Sequence, residues 1–212
     1  MRDILIHGLG QTAASWDGVR AHGAERAAAC PELSALFQNG EYTFESLYRG
    51  FSDYCGQFRG PLNLCGLSLG GVLALRYAMD YPHNVRALAL IGAQYRTPRG
   101  LLRFQNGVFR LMPERAFQGM GFGKAEVLQL MGSMLDVDLG GRLGEIVCPV
   151  LVLCGERDRA NRRAAEELAG EIAGAELRLI EGAGHAVNTE APAALAGALN
   201  DFFRRHERPE GR

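Results

Sequence analysis

Ser68 stands between glycines in the segment Gly66-Leu67-Ser68-Leu69-Gly70-Gly71, which follows an apolar run and precedes a helix-forming stretch. A serine flanked in this way at a strand-to-helix turn is typical of a nucleophile elbow, in which the tight backbone requires small neighbouring residues. The turn exposes the hydroxyl beside a helix N-terminus, where free N–H groups favour developing negative charge. The motif therefore predicts Ser68 as a catalytic nucleophile.

A serine hydroxyl is a poor nucleophile at neutral pH, so it needs an imidazole base, and the imidazole needs an orienting carboxylate. Enzymes with parallel sheets place such groups at the carboxyl ends of strands. Asp158 follows the apolar run 149–154, and His185 follows the next run, 176–180. We therefore expect these two side chains at the same sheet edge as Ser68, in the chain order that accompanies this elbow.

The first apolar run ends in His7-Gly8-Leu9-Gly10, whose glycines allow the backbone to approach a substrate closely. The N–H groups of Leu9 and Leu69 are the candidate donors to an oxyanion. His7 is expected to brace this loop rather than to react.

Short apolar runs alternate with helical patterns, which predicts an α/β protein with a mostly parallel sheet of about six strands and helices on both faces. The predicted strands are Asp3–His7, Tyr42–Leu47, Leu62–Cys65, Val85–Ile91, Val150–Cys154 and Glu176–Ile180. The predicted helices lie near Trp16–Gly23, Gly50–Phe58, Leu69–Asp80, Arg162–Ile172 and Ala191–His206. The alternation stops in residues 96–145, where two further helical patterns are separated by a glycine-rich link.

Composition narrows the class of protein and its partners. In 212 residues, 23 Lys and Arg balance 24 Asp and Glu without any block of like charge, so neither nucleic acid nor a membrane is an expected partner. No run has the length of a membrane span, no signal peptide is visible, and the five cysteines lack metal-ligand spacing. These features predict a cytoplasmic protein with no metal and no organic cofactor.

The chain resembles the α/β-hydrolase superfamily in the order of its motifs: the His7-Gly8 loop, the serine elbow, the Asp158 loop, Gly184-His185 and the terminal helix. The resemblance covers nearly the whole chain. It implies that Ser68 is the nucleophile, His185 the general base and acid, and Asp158 the orienting acid. It also implies that Leu9 and Leu69 donate to the oxyanion.

The same resemblance implies a hydrolase core made of residues 1–95 and 146–212 and a small helical cap of residues 96–145. Family members usually carry two further strands before the His-Gly strand, so a trimmed sheet is expected here. A partner copy could cover the resulting edge, and either a monomer or a homodimer is expected. The cap also contains Asp136 and Asp138, which are alternatives for the orienting acid.

The apolar residues near the predicted site divide between packing and lining a substrate pocket, and the sequence does not separate the two. The candidate pocket residues are Trp16, Phe104, Met112, Phe122 and Met131. For Trp16, ordinary core packing is the simpler interpretation. Arg99 and Arg103 could bind a substrate carboxylate, although solvated arginines are the simpler interpretation there.

These observations predict a serine hydrolase that cleaves a small, largely apolar carboxylic ester through an acyl-enzyme on Ser68, with a small-molecule ester as its partner. Thioesters, lactones, amides and the carbon–carbon bonds of diketones remain open as alternative substrates. A second alternative follows from the menaquinone-pathway synthases of the same superfamily, which use the triad to abstract a proton from an acidic substrate. A non-enzymatic ligand receptor that retains the pocket is the third alternative.

Overall fold

The computed structural model describes residues 2–23, 28–96, 99–117 and 121–207, without the side chains of residues 99 and 101–105. In this part of the chain, six strands form one sheet in the order β2-β1-β3-β4-β5-β6, and every neighbouring pair is parallel. The strands are β1 (Asp3–Ile6), β2 (Ala28–Ala29), β3 (Leu62–Leu67), β4 (Val85–Ile91), β5 (Val150–Gly155) and β6 (Glu176–Ile180). The predicted parallel sheet is therefore confirmed.

Helices connect the strands and cover the sheet. They are α1 (Asp17–His22), α2 (Phe44–Gly56), α3 (Leu69–Asp80), α4 (Arg99–Leu111), α5 (Lys124–Ser133), α6 (Arg159–Glu171), α7 (Val187–Glu190) and α8 (Pro192–Arg205). None of the helices in the described part of the chain is both long and apolar enough to span a bilayer.

Alternating strand residues face two separate apolar clusters, because successive side chains point to opposite faces of a sheet. On β1, Ile4 and Ile6 join a cluster that includes residues of α2, α3 and α6. Leu5 joins the cluster on the other face, which contains residues of α1 and α8. Both faces of the sheet are thus covered by helices.

One predicted strand is wrong. Residues 42–47 lead into helix α2, which begins at Phe44 after the N-cap Thr43. The Thr43 hydroxyl accepts a hydrogen bond from the Ser46 N–H, and this cap satisfies one of the free donors of the first turn. The sixth strand is instead Ala28–Ala29, a two-residue strand at the sheet edge beside β1.

The segment between β4 and β5 contains α4 and α5, and its two ends meet. Arg96 and Asp138 form an antiparallel bridge, and the Leu139 N–H donates to the Tyr95 carbonyl at 2.8 Å. Buried residues of this insertion belong to the same apolar cluster as α2 and α3. The insertion is thus closed at its base and packs onto one face of the core.

Candidate active site

Ser68 occupies the turn between β3 and α3 in a backbone conformation that few non-glycine residues adopt, with φ 52° and ψ −114°. Its N–H donates to the Ile91 carbonyl of the neighbouring strand at 2.8 Å, and its carbonyl accepts from the Val72 N–H at 3.1 Å. These bonds hold the strained residue between the sheet and the first turn of α3. The elbow geometry predicted for Ser68 is present.

The flanking glycines leave room for this turn. A β-carbon added at Gly66 would lie 2.2 Å from the Gly70 carbonyl oxygen, and one added at Gly70 would lie 2.3 Å from the Ile6 carbonyl oxygen. Real β-carbons do not approach backbone atoms so closely. The requirement for small residues two positions before and two after the serine therefore has a direct steric cause.

Asp158 and His185 come together at the same sheet edge, from the loops that follow β5 and β6. Asp158 Oδ2 lies 2.7 Å from His185 Nδ1. The Asp158 side chain is 5% exposed and that of His185 is 44% exposed. Because an ionised carboxylate only accepts, Nδ1 carries the hydrogen and donates it, which leaves Nε2 free to take a proton.

Asn161 is a further neighbour of this pair that the sequence analysis did not single out. Its Nδ2 donates to both carboxylate oxygens of Asp158, at 2.9 and 2.8 Å, and its backbone N–H donates to Oδ1 at 3.3 Å. Burial by itself raises the pKa of the Asp158 carboxyl, but the hydrogen bonds from His185 and Asn161 outweigh burial and hold that pKa below its ordinary value. Asp158 is therefore ionised at neutral pH.

The end of β4 lies between the serine and the imidazole. The Ile91 carbonyl accepts from Ser68, and a β-carbon added at the next residue, Gly92, would lie 3.0 Å from His185 Cε1 and Nδ1. Within the described residues, no hydrogen bond joins Ser68 to His185. In free enzymes such catalytic hydrogen bonds are often long and tighten only when substrate is bound.

The loop after β1 packs directly against the elbow. A β-carbon added at Gly8 would lie 3.4 Å from Ser68 Cβ and 2.9 Å from Leu67 Cδ2, and Gly10 adopts φ 82°. Among the described residues, no group accepts a hydrogen bond from the N–H of Leu9 or of Leu69. Both N–H groups thus remain candidate donors to an oxyanion.

His7 braces this loop from beneath. Its Nδ1 lies 2.9 Å from the Gly8 carbonyl oxygen, to which it donates, and its Nε2 accepts from the Leu33 N–H at 3.2 Å. The side chain is buried. Both ring nitrogens are thus occupied by backbone groups, in agreement with the bracing role expected for His7.

Comparison with known proteins places these features in a family. Residues 4–198 match the Alpha/beta hydrolase family. The chain is an α/β-hydrolase. The predicted superfamily and fold are thereby confirmed.

Individual relatives of this α/β-hydrolase are distant. Monoacylglycerol lipase abhd6-A of Xenopus laevis is 25% identical over 194 residues, which cover 72% of this chain and 58% of the lipase, so the chain spans less than two thirds of that relative. A thermophilic esterase from Thermogutta terrifontis superposes with a TM-score of 0.79 at 22% identity, over 98% of this chain and 91% of the esterase. MenH from S. aureus gives a TM-score of 0.84 at 15% identity, over 98% and 95%. At these identities the two solved structures show a shared fold alone.

The two alternative candidates for the orienting acid of this α/β-hydrolase, Asp136 and Asp138, lie in the insertion between β4 and β5. Asp138 accepts from the Gly140 N–H at 2.9 Å and lies 3.5 Å from Arg96 Nε, at the base of the insertion. Asp136 ends a short 3-10 turn after α5. The carboxylate in contact with His185 is that of Asp158.

The candidate pocket residues whose side chains are described lie in two different apolar clusters. Trp16 is fully buried in the apolar cluster shared by α1 and α8, where it packs against the sheet. Phe122 and Met131 are buried in the opposite cluster, and Met112 is partly buried against it. The side chains of Phe104, Arg99 and Arg103 lie outside the described residues.

In residues 2–23, 28–96, 99–117 and 121–207, no three His, Cys, Asp or Glu side chains group closely enough to hold a metal ion. All five cysteines are free thiols.

Proposed function

We propose that this α/β-hydrolase is a serine hydrolase that cleaves small, largely apolar carboxylic esters through an acyl-enzyme on Ser68. The observation that carries the proposal is the hydrogen bond of 2.7 Å between Asp158 and His185, at the sheet edge where Ser68 occupies its strained elbow. A nucleophile, a base and an orienting acid from three strand ends form the arrangement that acyl transfer requires.

In the first half-reaction, Ser68 Oγ attacks the ester carbonyl carbon while His185 Nε2 takes the hydroxyl proton. The negative charge on the carbonyl oxygen of the tetrahedral intermediate is stabilised by the N–H groups of Leu9 and Leu69. When the intermediate collapses, His185 gives its proton to the leaving alcohol. The acyl group remains on Ser68.

In the second half-reaction, His185 Nε2 takes a proton from water, and the hydroxide formed attacks the acyl carbon. Collapse of this intermediate releases the carboxylic acid, and the proton returns to Ser68. Asp158 keeps its negative charge throughout, because its pKa lies below the ordinary value. That charge stabilises the imidazolium formed in each half-reaction.

The apolar insertion and a curated relative support an apolar ester as the substrate. The insertion contributes large apolar side chains next to one face of the core, among them Phe122, Val127 and Met131. An apolar acyl group suits such surroundings. The monoacylglycerol lipase among the relatives supports an ester over other acyl bonds.

A panel of p-nitrophenyl esters of increasing acyl length tests this proposal with purified protein. We expect turnover that peaks at short acyl chains and that falls at least about 10³-fold in Ser68→Ala. Ser52→Ala, on α2, is the matched control and should retain wild-type turnover.

Labelling identifies the nucleophile independently of the substrate. A fluorophosphonate should add one phosphonyl group to the peptide containing Ser68, and the adduct should be absent in Ser68→Ala. Wild-type turnover in Ser68→Ala would contradict the mechanism, whereas a long-chain optimum would contradict only the small substrate. A parallel panel of thioesters, lactones and amides ranks the other acyl bonds.

A further inference from the structure

Asn161 and His185 are two polar side chains that contact the Asp158 carboxylate. The Asn161 Nδ2 donates to both carboxylate oxygens and lies 3.1 Å from His185 Nδ1, while Asn161 Oδ1 accepts from Gln94 Nε2 at 2.8 Å. Because His185 Nδ1–H and the Asn161 amide both donate, neither donates to the other. Their hydrogens converge on Asp158.

The orientation of each amide follows from this chemistry. An ionised carboxylate has no hydrogen to donate, so Asn161 presents its NH₂ group to Asp158 and its oxygen to Gln94. Gln94 must then present its own NH₂ group. The order of donation, from Gln94 to Asn161 and from Asn161 to Asp158, is therefore fixed in one direction.

We propose that Asn161 is a positioning residue, held by Gln94, that fixes the Asp158 carboxylate and competes with His185 for its negative charge. The catalytic consequence rests on the proposed function, because it concerns the base of that reaction. The physical argument is that each donor to a carboxylate disperses its charge, so that less of it remains to stabilise a neighbouring imidazolium. Asn161 thus restricts the orientation of the carboxylate and leaves less of its charge for the hydrogen bond from His185 Nδ1.

This role differs from helix capping, which Asp158 also performs. As the N-cap of α6, Asp158 accepts from the backbone N–H of Asn161, and that bond does not need the Asn161 side chain. Substituting the side chain alone therefore separates the two roles. A leucine at position 161 keeps the N-cap bond and the approximate volume while it removes the amide.

Gln94 connects this arrangement to the insertion. It lies three residues beyond the end of β4 and directly before Tyr95, whose carbonyl accepts the Leu139 N–H that closes the base of the insertion. The amide of Gln94 thus connects that base to Asn161, which in turn donates to the candidate acid. This location explains how a side chain outside the triad can be held in one orientation.

Other charged side chains on the same loops and helices have partners of their own. Cys154 on β5 has a pKa raised to about 11 by burial, so its thiol is neutral. The Glu156 carboxylate accepts from the Gly182 N–H, and Arg157 donates to the Gly182 carbonyl. Arg162 pairs with Glu166. The Glu190 carboxylate accepts from the N–H groups of Gly184 and Ala186.

The NMR resonance of the His185 Nδ1–H in wild type and Asn161→Leu tests the proposal without any substrate. We expect this resonance to move downfield in Asn161→Leu, because the carboxylate that accepts the hydrogen has lost a competing donor. The resonance is assigned by its loss in His185→Gln. Asn200→Leu, on α8, is the matched control and should leave the resonance unchanged.

Gln94→Leu is the second variant, and it should move the His185 Nδ1–H resonance in the same direction by a smaller amount. If Asn161→Leu does not fold, Gln94→Leu decides the question. With an ester as substrate, Asn161→Leu should lower kcat more than it raises KM, because Asn161 acts on the base and not on substrate binding. An unchanged His185 Nδ1–H resonance in the folded variants would overturn the proposal, even if ester turnover depends on Ser68. A shifted resonance without any ester turnover would support the role of Asn161 and count against the proposed function.

Discussion

Gln11 and Asn188 are 177 positions apart in the chain and exchange two hydrogen bonds through their side-chain amides. Gln11 Nε2 donates to Asn188 Oδ1 at 3.0 Å, and Asn188 Nδ2 donates back to Gln11 Oε1 at 3.1 Å. Asn188 also donates to the Ser15 carbonyl at 3.2 Å. Since Gln11 N–H donates to the Gly8 carbonyl, this amide pair links the candidate oxyanion loop to the helix that follows His185.

We expect Asn188→Leu to lower the free energy of unfolding by about 1–3 kcal/mol, because it removes the acceptor of Gln11 Nε2 and the donors to Gln11 Oε1 and the Ser15 carbonyl that Asn188 supplies. Asn188 is fully buried, so water cannot readily replace the lost partner. Urea unfolding measures the effect, and turnover should fall as the oxyanion loop loosens. In Gln11→Leu/Asn188→Leu the cost should be smaller than the sum of the single variants. Strict additivity would show that the pair is not coupled.

Gly92 is the residue against which the His185 ring packs, and we expect Gly92→Ala to displace that ring. The added methyl would lie 3.0 Å from two ring atoms and 3.3 Å from Asp158 Oδ2, in a residue with φ +53°. A displacement of this kind near reacting groups costs about 10²-fold in turnover. The measurement is kcat/KM on the ester panel, together with circular dichroism to verify folding.

Gly132→Ala is the matched control for this variant. An added β-carbon at Gly132, within α5, meets nothing within 4 Å, and the substitution should be neutral or stabilising by about 0.4–1 kcal/mol. If Gly92→Ala kept full turnover, the ring of His185 would not need the position it occupies here.

Stability should fall on mild acidification because of His7. Burial is the main influence on its pKa and lowers it below 6.5, while the Gly8 carbonyl and Glu32 act in the opposite direction. The unfolded chain therefore binds a proton at His7 before the folded protein does, so the free energy of unfolding decreases as pH falls below about 6.5.

His7→Gln isolates this contribution. The variant should be less stable than wild type at pH 7 by about 1–3 kcal/mol, because the bonds to Gly8 and Leu33 are lost. Its stability should also decline less steeply between pH 6.5 and pH 5. Urea unfolding at several pH values gives both quantities. Parallel pH dependences in the two proteins would be incompatible with a buried neutral His7.

The elements that sequence alone could predict are those whose causes are local. The elbow at Ser68 follows from glycine spacing, and Leu69–Asp80 is a helix as predicted. The prediction of a strand at Tyr42–Leu47 depends on treating that segment as one of the short apolar runs. The N-cap Thr43 and the helical spacing of Phe44, Leu47 and Phe51 determine the outcome instead, since those three side chains pack into one cluster.

The parts of the site that sequence could not supply depend on contacts between distant segments. β2 is two alanines without a pattern, and it becomes a strand only by pairing with Asp3 and Ile4. Asn161 follows Asp158 by three residues, a spacing typical of N-cap contacts, so its backbone contact could have been anticipated. Its second partner, Gln94, is 67 positions away and has no local signal.

Asp80, at the end of α3, anchors the far end of the insertion, and we expect Asp80→Asn to lower stability without changing the chemistry. Its carboxylate accepts from the Tyr48 hydroxyl and from Arg142 Nη2, the latter at 2.8 Å. Burial raises its pKa, but these bonds and the charges of Arg142 and Arg76 hold it below the ordinary value of 3.8. The carboxylate therefore contributes stability above that value and loses the contribution as pH falls through the folded pKa.

Asp80→Asn should accordingly be less stable than wild type by about 1–2 kcal/mol at pH 7, since two hydrogen bonds to a charge become weaker. The difference should narrow as the pH falls from the ordinary value of 3.8 through the lower pKa of the folded protein, because the wild-type carboxyl is protonated below it. Unfolding followed by fluorescence at pH 7 and at pH 3 measures both values. At a temperature where both proteins are folded, kcat should be unchanged, because Asp80 lies at the end of α3 opposite to Ser68. A fall in kcat with unaltered stability would mean that the anchor acts on the active site rather than on the fold.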